Sequence, residues 1–214
     1  MTNLATYDNA ALVTEFAGGT STDVSMMIGI GLVKDSEAVF FQYLGDEQTP
    51  CGLTMPSGKP VTSLKNITLS GVSIAENVGE FNSTKLNLFV ETQSGRTVML
   101  TSGLSTIWSQ CIITSLMGLL DAYSLDQPFV LDTWKGTSKM RPCFAALRQG
   151  GVKISNQMMY EQLRELRADR ATDKLLQVMR DAVNVLNASV TGGPVDEAVV
   201  SVNEPTVVVD TDLF

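Results

Sequence analysis

Lys85-Leu86-Asn87-Leu88-Phe89-Val90 is the stretch that decides the fold class of this chain. Leu86, Leu88 and Val90 alternate with Lys85, Asn87 and Phe89, and a period of two is what a strand with one buried face requires. Such a strand needs neighbours, and the flanking sequence supplies them. Ile67, Leu69 and Val72 read as a strand before it, and Gln93-Ser94-Gly95-Arg96 reads as the turn of a hairpin into 97–101. Then the period changes. Leu104, Trp108, Cys111, Ile112, Leu116, Leu119, Leu120 and Tyr123 recur at spacings of three and four, which predicts a helix with Ser105 or Thr106 as its N-cap. Strand character returns at 129–134 and 143–147, with the polar loop 135–141 between them and Gly150-Gly151 at the exit.

Strand, strand, strand, helix, strand, strand is the order of the oligonucleotide/oligosaccharide-binding barrel, a five-stranded Greek-key closure. The expected fold is mainly β with helices, with an OB-like β-barrel core over residues 61–155. Residues 1–60 precede it as strands and a loop that either complete the barrel or form a layer of their own. Within them 24–33 and 38–44 read as strands joined by a turn at 34–37, and Gly29 and Gly31 imply a bulge or a close backbone approach. The run 17–22 reads as a loop, as does 45–60 with its prolines and glycines. A helical segment follows at 156–187, one helix or two, with Thr172-Asp173 as a restart after Arg170. Its apolar face needs a partner, either the barrel or a second copy of the chain. From 188 to 214 the helical period is gone, so a flexible acidic tail is expected, with Val-rich pieces that are alternatively edge strands.

Composition narrows the functions. The net charge of −8 conceals a mildly basic middle, since residues 53–153 hold nine Lys and Arg against six Asp and Glu. Phosphate binding depends on where cations lie, so the acidic total does not exclude nucleic acid. No run is long and apolar enough for a membrane span, and the start lacks a secretory pattern, so a cytoplasmic protein without membrane association is expected. Histidine is absent, and Cys51, Cys111 and Cys143 are odd in number and far apart, which predicts buried reduced thiols instead of disulfides or zinc. Met55-Pro56-Ser57-Gly58-Lys59 lacks the glycine spacing and following hydroxyl of a phosphate loop. Asp121, Asp126 and Asp132 are spread over different elements, so neither a carboxylate pair nor a nucleophile with its base emerges. No enzymatic activity and no cofactor are expected.

The middle segment instead interleaves cations with flat rings. Lys85, Arg96, Lys135, Lys139, Arg141 and Arg148 are the expected phosphate partners, with Lys59, Lys65 and Lys153 also in the segment, and Trp134, Phe89 and Phe129 are the candidate stacking surfaces. Unpaired bases stack on rings while cations follow the phosphates, which is the requirement of single-stranded nucleic acid. Trp134-Lys135 with Lys139 and Arg141 forms the densest cluster, in the loop between the fourth and fifth barrel strands. Each ring has a packing role as its alternative: Trp134 divides evenly between stacking and core, Phe144 and Phe129 serve the core in part, and the side of Phe89 stays open. Trp108, on the helix stripe, reads as core.

The chain ends Asp210-Thr211-Asp212-Leu213-Phe214 after a stretch without Lys or Arg from Asn187 onward. With the strand order and the Trp-Lys loop, this end resembles a single-stranded DNA-binding protein of bacterial or phage type. The resemblance implies a barrel that coats exposed strands without sequence preference in replication and recombination. It also implies that Asp210, Asp212, Leu213 and Phe214 recruit replication or repair proteins, and that copies of the chain associate as an oligomer. The tip lacks a proline before Phe214, and the linker is short and Val-rich, so a phage or plasmid version is the expected one. The alternative is a structural or adaptor protein of a virion or multiprotein assembly with no nucleic-acid role, supported by the charged fraction of 18% and the Met-rich and Val-rich segments.

Overall fold

The computed structural model describes residues 26–34, 36–44, 49–79 and 81–191. In chain order the elements are β1 (Met26–Ile30), β2 (Phe40–Leu44), β3 (Thr49–Gly52), β4 (Ser63–Val78), β5 (Ser83–Glu91), β6 (Thr97–Gly103), α1 (Ile107–Asp121), β7 (Phe129–Lys135), β8 (Cys143–Gln149), β9 (Val152–Ile154), α2 (Gln157–Ala168) and α3 (Thr172–Thr191). The nine strands form one mixed sheet in the order β3-β2-β1-β6-β5-β4-β7-β8-β9. The expected fold class, mainly β with helices, is what the chain adopts, and the strand-strand-strand-helix-strand-strand order from β4 to β8 is present.

Closure into a barrel is not: the sheet is open. On its far edge β6 takes β1 as a parallel neighbour, in register from Met26 with Val98 to Gly29 with Thr101. The N-terminal strands, whose place the sequence left undecided, thus extend the sheet beyond β6. A parallel partner leaves no turn signal between the two strands, which is why composition did not predict the pairing.

β4 holds the two halves together. Its first residues pair with β7 (Ser63 with Asp132, Ile67 with Phe129) and its later ones with β5 (Thr68 with Glu91, Ala75 with Lys85). Register shifts fall between Leu64 and Ile67 and between Ala75 and Val78, and Asn66 and Asn77 take φ of 52° and 55°. Asparagine tolerates that left-handed conformation better than most residues, so these bulges bend the strand at little cost.

The alternation at 85–90 is realised. Leu86, Leu88 and Val90 are buried together with Val98, Leu100, Phe129, Leu131 and Leu147. Onto this surface packs α1, capped by Thr106, whose hydroxyl accepts from Ser109 N at 3.2 Å. Trp108, Ile112, Ile113, Leu116 and Leu119 fill the core, and the buried Thr114 and Ser115 hydroxyls donate to Cys111 O at 2.9 Å, which offsets their desolvation. Helices α2 and α3 are separated at Arg170, which has φ 57°, and α3 buries Leu175, Met179, Ala182, Val183 and Leu186 in the same core. Most of their apolar face is therefore covered within this chain, with Met158 left exposed.

Other boundaries move. The expected 45–60 loop contains β3, an antiparallel partner of β2 that accommodates Pro50 because it is an edge strand. β9 follows the Gly150-Gly151 pair, whose φ values of 57° and 82° are those of a tight two-residue hairpin turn. Helix α3 continues to Thr191, past the point where the tail was expected to begin. Gly29 does mark a close approach: a Cβ there would lie 2.3 Å from Cζ of Phe41. Of the cysteines, Cys51 is exposed and Cys111 and Cys143 are half-buried, so the buried-thiol expectation fails at Cys51 on its edge strand; burial pushes the Cys111 and Cys143 thiols up. No helix among the described residues is long and apolar enough to cross a membrane.

Candidate nucleic-acid interface

Along β7 the inward phase belongs to Phe129, Leu131 and Thr133, which turns Trp134 outward. It pairs across the ladder with Phe144 of β8, the rings stacked at 6.0 Å between centroids and 15° between planes. Trp134 keeps 43% of its surface exposed, so one ring face is held and the remainder is open. Gly136 makes this possible. Its N–H donates to Pro142 O at 2.7 Å, and a Cβ on it would lie 2.8 Å from Cε2 of Phe144, so only glycine lets the loop close over that ring.

Two contacts tie the loop to the connection between β1 and β2. The Lys135 ammonium donates to Ser36 O at 2.5 Å, and the Arg141 guanidinium pairs with Glu37 at 2.6 Å. The hydrogen bond from Arg141, and then its charge, hold the Glu37 carboxyl below the usual carboxylate range. Lys139 is exposed in the same loop. Together Trp134, Lys135, Lys139, Arg141, Glu37 and Val39 line a cleft of about 580 Å³. Trp134 also borders a second cleft of about 570 Å³, walled by Phe144, Tyr160 and Lys153 among others. Trp134 thus lines both grooves, the first with Lys135, Lys139 and Arg141 at its wall and the second with Lys153. Such a site can stack one or two bases and neutralise nearby phosphates, though Arg141 and Lys135 already have partners on the protein.

The remaining expected residues are not gathered here. Phe129 is a correction: it is 1% exposed and belongs to the core, because its phase in β7 matches Leu131 and not Trp134. Phe89 stands on the face of β5 opposite Leu86, Leu88 and Val90, half-buried over Gly71, and Lys85 shares its phase. Arg148 donates to Asp132 at 2.6 Å, and Asp132 also accepts from Ser63 at 2.6 Å. Arg96 lies half-buried beside the β5–β6 turn. Neither cleft beside Trp134 is lined by Phe89, Lys85, Arg96 or Arg148. Asp210, Asp212, Leu213 and Phe214 lie outside the described residues, as does the 17–22 loop. Sequence pattern assigns Phe144 in part to the core and leaves Lys153 among unspecified cations, and it carries no signal for Tyr160, which sits on the exposed side of α2. Among the described residues no group of three His, Cys, Asp or Glu is placed to hold a metal.

No protein-family model, curated protein or solved structure matches the chain.

Proposed function

We propose that this chain is a non-enzymatic coat for single-stranded DNA that binds without sequence preference through the two grooves flanking Trp134. The observation that carries the reading is the exposed Trp134, stacked on Phe144 between clefts that contain Lys135, Lys139, Arg141 and Lys153. An aromatic kept half in water on a rigid strand gives up burial, and a flat partner that slides over it recovers that loss. The connectivity supports the same reading. A long first strand that pairs with the second and the fourth, with a helix after the third, is the wiring of the oligonucleotide-binding barrel, whose fourth-to-fifth-strand loop is a ligand loop. We read the sheet as a barrel of that type held open by β1. The tip at Asp210–Phe214 fits a role in recruiting replication or repair proteins, with Phe214 as apolar anchor and the carboxylates meeting a basic rim. Such a coat works in the cytoplasm, in the host's if the chain is viral.

Titration of a fluorescent dT oligomer at two salt concentrations tests the reading. Affinity should fall by at least about tenfold from roughly 50 to 200 mM salt. Absence of binding at the lower concentration, with or without residues 192–214, would reject it.

One observation favours the adaptor reading instead. Met117, Met158, Met159, Val178 and Val185 line a groove of about 450 Å³ between the helices, an apolar, adaptable surface far richer in methionine than the Trp134 clefts. Recovery of the full chain in a protein assembly free of nucleic acid would support that alternative.

A further inference from the structure

Behind the second cleft lies a narrow recess of about 50 Å³ that shares Cys111, Thr114, Phe144 and Tyr160 with it and adds Gln110 and Arg167. Gln110 is only 5% exposed. Its Nε2 donates to Ser105 O at 2.9 Å, while its buried Oε1 has no hydrogen-bond partner among the described residues. An acceptor left in that state is unfavourable, and a donor delivered to it recovers the loss. The neighbouring Thr114 hydroxyl is engaged elsewhere, because its single proton is shared between Gln110 O at 3.0 Å and Cys111 O at 2.9 Å.

We infer that this recess is a base-reading subsite that takes the exocyclic amino group of an unpaired cytosine or adenine. The inference rests on the single-strand reading above and adds a bias in base composition to it. A recess of about 50 Å³ holds a substituent and not a ring, so the ring stays in the larger cleft against Phe144 and Tyr160. An amino group projects beyond the ring and carries two N–H donors. At the matching position thymine carries a carbonyl oxygen, an acceptor that cannot satisfy Oε1, and its N3–H donor belongs to the ring, which the recess is too small to admit. Arg167 lines the same recess and brings a positive charge to it, which suits a flanking phosphate.

The test uses the full chain and three fluorescent 15-mers at pH 8: oligo-dC, oligo-dT, and oligo-dC carrying N4,N4-dimethylcytosine, which keeps the ring and removes both donors. One hydrogen bond to a buried acceptor corresponds to about a threefold to tenfold change in affinity. Oligo-dC should bind tighter than oligo-dT by that factor, and dimethylation should bring it down to the oligo-dT level. In Gln110→Leu the gap between oligo-dC and oligo-dT should close. Equal binding of all three oligomers overturns the subsite and leaves the coating function standing, as does a preference for dC that survives dimethylation. Binding of none of them overturns both. The modified oligomer decides the matter on the unaltered protein should Gln110→Leu fail to fold.

Discussion

Trp108 has no exposed surface and lies in the core between α1 and the sheet, whereas Trp134 keeps 43% of its surface exposed and rests flat on Phe144. The two side chains are chemically identical, and the difference lies in what surrounds them. Trp108 even leaves its indole Nε1 without a partner among the described residues, so that position uses the bulk of the ring and forgoes its polar handle. Trp134 has the reverse arrangement: one face is held by Phe144, and the rest of the ring is presented to two clefts. An aromatic is therefore not evidence of a site by type; its phase in the strand or helix decides.

The sharpest way to break this contrast is to truncate each ring. Trp108→Ala should cost about 3–5 kcal/mol of folding stability by loss of packing and creation of a cavity, measured by urea denaturation. Trp134→Ala should change stability by less than about 1.5 kcal/mol and weaken oligonucleotide binding by about tenfold to a hundredfold, the range of one stacking contact. Loss of stability in Trp134→Ala comparable to that in Trp108→Ala, with affinity intact, would make Trp134 a packing residue. Phe129 and Phe89 extend the comparison. Phe129→Ala should behave as Trp108→Ala does, and Phe89→Ala should leave binding within about twofold, since neither cleft contains it.

That contrast also shows what a single sequence carries. The period of two at 85–90 and the three-to-four spacing at 104–123 place strands, helix and core because each depends on neighbours a few residues away. Trp108 was legible for that reason. In β7 the same alternation, Phe129, Leu131 and Thr133 against Trp134, was available and separates the two aromatics, but phase alone does not say which side of a sheet is covered. The pairing of β1 with β6, the approach of Glu37 to Arg141, and the second cleft made with Tyr160 join segments tens of residues apart. Such contacts leave no local pattern. Gln110 shows the limit most clearly, because a glutamine on a helix stripe reads as a solvated interruption, and only the three-dimensional packing reveals it buried with an unpaired oxygen.

Smaller effects should follow the cations around Trp134. For single strands the slope of log affinity against log salt changes by about 0.7 for each phosphate that a protein cation neutralises or releases. Lys139→Gln should flatten the slope by about 0.7, because Lys139 lines the cleft. Glu37→Gln should steepen it by up to about 0.7, because it releases Arg141 from its pair. Acid should mimic Glu37→Gln. The folded-state pKa of Glu37 is depressed, so its pairing with Arg141 is present above the ordinary carboxylate pKa and is lost as pH falls through the lowered value. The extra binding from Arg141 should appear only below the ordinary carboxylate range, and it should be missing from the pH profile of Glu37→Gln.

The smallest expected effect concerns Arg148, which the sequence grouped with the phosphate partners. Its guanidinium is engaged by Asp132, which is itself held by the Ser63 hydroxyl, and Arg148 lies four residues along β8 from Phe144, roughly 13 Å at strand rise. Arg148→Gln should therefore leave both affinity and salt slope unchanged within error. Asp132→Asn tests whether the pair is what keeps Arg148 out of the interface. If the carboxylate restrains it, Asp132→Asn should steepen the slope, and the further change Arg148→Gln should restore it. If position along the strand keeps it away, neither substitution should move the slope, and the binding surface ends at the Trp134–Phe144 stack. A steeper slope for Asp132→Asn would instead extend that surface toward the Arg148 end of β8, and would bring one more of the residues read from the sequence into the same site as Trp134.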